Sequence, residues 1–168
     1  LVVDGNGPGV TFIDYLVKPQ IDTDTNEIYP DFGVYGGTKV DIEQEYKKYK
    51  TANTEQDALY IIMANAPMNS EAHSNAQTQL SSGKVKMLID ERAAKSKLLG
   101  TVKGNNMKPE ERADYLKPFT LTSILKEEMM NLREENEGMN IILKQANRGI
   151  KKDKFSAFEY GLYYIKQE

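Results

Sequence analysis

LVVDGNGPGV, residues 1–10, runs three apolar side chains into an acid and the acid into a loop of Gly, Asn, Gly, Pro and Gly. The β-branched apolar run reads as a short buried strand ending at Asp4. The carboxyl end of a strand, beside a Gly-rich loop, is where open α/β sheets place functional groups. Glycines there let backbone and ligand approach closely. Asp-Gly and Asn-Gly are also common turn pairs, so a turn residue and a functional carboxylate both remain open for Asp4. A phosphate loop does not fit, because the stretch has no Gly-Lys-Ser/Thr and lacks the dinucleotide spacing.

Outward from this stretch, the 168 residues suffice for one domain with a core. The 22 basic and 25 acidic side chains leave a net charge of −3, which argues against general nucleic-acid affinity but allows a local basic patch. With no Cys, thiolate metal sites, disulfides and thiol nucleophiles are excluded. One His cannot build a histidine ligand cluster, whereas hard-metal chemistry on carboxylates stays open. No apolar run approaches the roughly 20 residues of a membrane span, and a reduced cytoplasm is the expected compartment.

Residues 10–17 read as a short helix stopped at Lys18-Pro19. Residues 20–57 read as a polar surface excursion with one hairpin around 32–37. Residues 59–63 form the second strand, followed by a helix capped by Ser70 and running to about Leu80. A third strand is predicted over 85–89, a short helix over 90–99 and a flexible connector over 100–107. Pro109 opens a helical turn. Residues 120–135 read as an amphipathic helix, with Leu121, Ile124, Leu125, Met129 and Leu132 on one face, the charges on the other and Gly138 as its terminator. A fourth strand over 139–143, a basic linker over 148–154 and a final helix carrying Phe155, Phe158, Leu162 and Ile165 complete a layered α/β domain.

Asp22-Thr23-Asp24-Thr25-Asn26 starts like a calcium loop, but Glu27 stands at the position that requires Gly and Gly33 at the closing Glu position, so it reads as a polar turn. Asp153, between Lys152 and Lys154, suits either a helix N-cap or a metal-binding carboxylate. Lys144, Arg148, Lys151, Lys152 and Lys154 form a basic cluster beside it, able to meet a phosphate backbone or simply to be solvated. His73 reads as a surface residue on a polar helix. With no evident Ser partner it offers no hydrolase triad. Tyr160, Tyr163 and Tyr164 read as packing residues.

Two stretches together, LVVDGNGPGVTFIDYL (1–16) and KKDKFSAFEYGLYYIK (151–166), resemble the C-terminal nuclease domain of tailed-phage terminase large subunits. NAQTQLSSGKVKMLID (75–90) and ILKEEMMNLREE (124–135) are similar to the helix, strand and helix between those motifs. The resemblance implies an RNase H-like mixed sheet flanked by helices, with Asp4 as the second metal-binding acid and Asp153 as the late one. It implies a metal-dependent endonuclease that cuts concatemeric viral DNA with two Mg²⁺ or Mn²⁺ ions, one activating water and one stabilising the leaving oxygen. Arg148, Lys151, Lys152 and Lys154 are then candidate DNA contacts. Expected partners are double-stranded viral DNA, the terminase ATPase domain or a missing N-terminal part, the portal and the small terminase subunit, with no membrane, in the host cytoplasm.

The family's first acid lies on a strand upstream of Leu1. The chain is therefore expected to be an N-terminally truncated, partial nuclease domain over 1–168, poorly active or inactive alone. Some relatives carry a His three positions before the late acid, where this sequence has Ile150. The alternative reading is a non-catalytic binding or assembly module of the packaging machinery, with Asp4 a turn residue and Asp153 a cap.

Overall fold

The computed structural model describes residues 1–52, 54 and 56–167. The chain is mixed α/β with small sheets and divides into two compact units. One comprises Leu1–Asn69 with Tyr164–Glu168, the other Ser70–Tyr163.

In the first unit, β1 (Val2–Asp4), β5 (Gln56–Ile62) and β4 (Phe32–Gly37) form a parallel sheet in the order β1-β5-β4. The central strand buries Leu59, Ile61 and Ile62 fully, as expected of a parallel strand covered on both faces. Leu59 and Ile61 join Val3 and Val34 in one core cluster with Ile13 and Val17, packed by α1 (Pro8–Leu16), and Ile42, from α2 (Ile42–Lys47). Tyr60 tilts against Tyr35 and Tyr164, with ring centroids 5.9 and 4.9 Å apart, and the Tyr35 hydroxyl donates to the Tyr164 hydroxyl at 2.6 Å. Tyr164 thus has a packing role, as its sequence context suggests.

Two expectations change here. The predicted hairpin over 32–37 is a single strand parallel to β5. Residues 20–57 are likewise more than a surface excursion, since they supply β4, α2 and the buried Asp31, Val34 and Ile42, while residues 53 and 55 lie outside the described residues. Only β2 (Gln20–Ile21) and β3 (Ile28–Tyr29) form an exposed antiparallel pair, closed by the polar turn at 22–26. There Asp22 Oδ1 accepts from the Thr25 and Asp24 amides at 3.0 and 2.8 Å, and these bonds hold its carboxyl below the usual range.

Asp31 is 1% exposed and accepts from the hydroxyls of Thr51 and Thr54. Burial pushes its carboxyl up, but the bonds from Thr54, its own amide and Thr51 outweigh burial and hold it below the ordinary range. Helix α3 (Ala66–Ser81) starts earlier than predicted, because Asn65 Oδ1 accepts from the Met68 amide at 2.9 Å and takes the capping role expected of Ser70.

In the second unit, α4 (Glu91–Leu99), α5 (Val102–Asn106) and α6 (Pro109–Met130) enclose Ala94, Leu98 and Leu116, with Met107 and Phe119 against them. The predicted strand over 85–89 has no ladder: Leu88 and Ile89 are exposed, and the Leu88 carbonyl accepts from Lys126 Nζ at 2.9 Å. The connector over 100–107 holds a helix, capped by Thr101 Oγ1 accepting from the Gly104 amide at 3.0 Å. Helix α6 is longer and ends sooner than expected, running from Pro109 through Pro118 to Met130. Residues 132–135 instead belong to β6 (Leu132–Glu137), antiparallel to β7 (Asn140–Gln145).

Gly138 therefore makes a hairpin turn rather than a helix end. Its φ of +63° at the first central position of a two-residue loop is what a II′ turn requires. Diagonal Glu135 and Lys144 pair across this ribbon at 2.5 Å. The final helix, α7 (Asp153–Gln167), buries Phe155, Glu159 and Tyr163.

Candidate functional site

Asp4 ends β1 at the carboxyl edge of the parallel sheet, level with Ile62 of β5, and its side chain is exposed. Its position is set locally. Oδ1 accepts from the Asn6 amide at 2.9 Å, Asn6 Nδ2 donates to the Ala64 carbonyl at 3.0 Å, and the Gly5 amide donates to the Ile62 carbonyl at 2.7 Å. A Cβ at Gly9 would overlap the Asp4 carbonyl oxygen, so the first turn of α1 closes on β1 only with Gly there. The turn and the presented carboxylate are thus one structure: an Asx-type loop holds Asp4 with its side chain exposed.

A hard divalent ion takes six or more oxygens, and a two-ion site needs several carboxylates. Among the described residues, no three His, Cys, Asp or Glu side chains are grouped so as to hold an ion. Asp4 fits as a single ligand, but the described residues do not make up the set, and no catalytic step through an ion follows from them.

Asp153 belongs to the second unit. It is the first residue of α7 rather than its cap, and its side chain is exposed. The capping falls to α6: Glu128, 3% exposed, accepts from the Phe155 amide at 2.8 Å and lies 3.7 Å from Lys154 Nζ. Asn131 holds the preceding loop, donating to the Asn147 carbonyl at 2.9 Å and accepting from the Asn147 amide at 2.8 Å. Both were hidden in the sequence, where Glu128 reads as one more charge on a solvated helix face. Of the basic cluster, Lys144 and Lys154 face Glu135 and Glu128, while Arg148, Lys151 and Lys152 stand exposed on the segment before Asp153.

The largest departure is His73. Rather than a surface residue, it has a side chain only 11% exposed, with Nδ1 2.5 Å from Oε2 of Glu159, itself 3% exposed. Neither residue carries a local signal of the other, since 86 positions separate them.

Comparison with known families, characterised proteins and solved structures finds no match to this chain. What stands without such a match is a mixed α/β protein, none of whose helices, among the described residues, is long and apolar enough to cross a membrane.

Proposed function

We propose that this chain is part of a metal-dependent DNA endonuclease of the terminase large-subunit kind, with an RNase H-like fold. In this reading Asp4 and Asp153 are two of its acids, and Mg²⁺ or Mn²⁺ its ions. The observation that carries the reading is Asp4 itself: an exposed carboxylate at the carboxyl edge of a parallel sheet, opening a Gly-rich loop. Support also comes from the paired motifs at 1–16 and 151–166, and from exposed Arg148, Lys151 and Lys152 beside Asp153, which suit contact with DNA phosphates. The packaging ATPase, portal and small terminase subunit are the corresponding partners, and the host cytoplasm the compartment.

Metal binding tests this without depending on turnover. Mn²⁺ added to isotope-labelled chain should broaden the amide signals of residues 4–9 and of 153–154 together, and Asp4→Ala should remove both effects. Broadening of neither stretch, or unchanged broadening in Asp4→Ala, would leave the binding or assembly module as the better reading.

A further inference from the structure

The second unit contains a cleft remote in sequence from Asp4 and not needed by the nuclease reading. Its volume is about 180 Å³, with His73, Gln77 and Glu134 as its polar lining and Ala76, Leu80, Met129, Leu143 and Phe155 among its apolar walls. That is close to the roughly 150 Å³ of an apolar cavity that takes up benzene, so one six-membered ring fits. The cleft is assembled from α3, α6, the β6–β7 ribbon and α7, which makes it a built concavity rather than a dent along one helix.

Of the three polar lining residues only His73 is held from behind. Glu159 Oε2 stands 2.5 Å from Nδ1, and since an ionised carboxylate can only accept, Nδ1 carries a proton in that contact. No second bond of the ring occurs among the described residues, and Nε2 is the atom left to a ligand, an acceptor in the neutral ring and a donor in the charged one. Charge then narrows the ligand. Glu159 lies behind the ring, exposed Glu134 lines the cleft, and none of the described lining residues is Lys or Arg. Anions are disfavoured by this surround.

We infer that this cleft binds a neutral, ring-sized aromatic molecule bearing one hydroxyl, which hydrogen-bonds His73 Nε2 while the ring packs on the apolar walls. Aliphatic Leu80 and Leu143, thioether Met129 and aromatic Phe155 supply the dispersion contacts, and Met129 adds a sulfur–aromatic contact.

The test uses phenol, benzene and benzoate on the wild-type chain, followed by NMR of the methionine methyls and the imidazole nitrogens. His73 is the only histidine, so its ring signals are unambiguous. Phenol should shift the His73 ring and the Met129 methyl saturably. Benzene should bind roughly three- to tenfold more weakly, the difference one hydrogen bond makes, and benzoate should not saturate. Leu80→Trp, which fills the cleft, should abolish the phenol response. If that variant fails to fold, the three-ligand comparison on wild type still decides. No saturable phenol response, or benzene or benzoate binding as well as phenol, would overturn the assignment.

Discussion

Asp4 and His73 are both held in place by hydrogen bonds, but by opposite routes. Asp4 is fixed by Asn6, two residues on, and by the close approach of Gly9 within the same loop. His73 is fixed by Glu159, on another helix 86 residues away. The first arrangement leaves an acid in water, where its charge is cheap to maintain and free to meet a ligand. The second withdraws an ionisable pair from water, which is tolerable only because each partner satisfies the other. A local site can therefore be lost with little harm to the fold, whereas a distant one is bound up with it.

Removing each residue probes that contrast. His73→Ala leaves the buried Glu159 carboxylate without its hydrogen-bond donor and should cost about 1–3 kcal/mol of stability, read from the urea midpoint at constant slope. A loss under about 1 kcal/mol would mean Glu159 finds water or another donor, and the contrast would fail. Asp31→Ala leaves the Thr51 and Thr54 hydroxyls without their acceptor and should cost about 1–3 kcal/mol.

Asp31 also has a pH signature. Its folded carboxyl is held below the ordinary value of 3.8, so its stabilisation is complete above that value and disappears as pH falls through the lower folded value. Acid titration of stability should thus be shallower in Asp31→Asn than in wild type over that interval. An unchanged slope would mean the carboxyl titrates normally.

Smaller effects lie on the local side. Asp90 caps α4 by accepting from the Arg92 amide at 2.8 Å, and Asp90→Ala should cost about 1 kcal/mol in thermal or urea unfolding. Asp4→Ala should change stability by less than about 0.5 kcal/mol, as expected of an exposed position, while removing Mn²⁺-induced broadening. A large stability loss there would show that Asp4 is a structural turn residue first.

The legible parts of the fold follow the same division. The strand ending at Asp4, the strand through 59–62 and the helix capped by Asp90 could all be read from a few neighbouring residues. The structure departs from local pattern where neighbours are not enough. Residues 132–135 continue a helical pattern on paper, yet Gly138 turns them back along 140–145 as a ribbon. Residues 85–89 have strand composition, but no ladder forms and a lysine from α6 takes the Leu88 carbonyl. Within 32–37 the glycines suggested a turn, whereas the strand lies along β5 and buries Val34.

The sequence by itself thus determined an α/β chain without thiol or histidine-cluster chemistry, and an acid poised at a strand end, because charge inventory and short-range backbone preference act within a few residues. Tertiary structure alone decided that Glu128 caps α7, that Asn131 holds the loop before Asp153, and that His73 is buried against Glu159 beside a ring-sized cleft. Each of those depends on burial, and whether a polar side chain is solvated or enclosed is settled by residues far along the chain that pack over it.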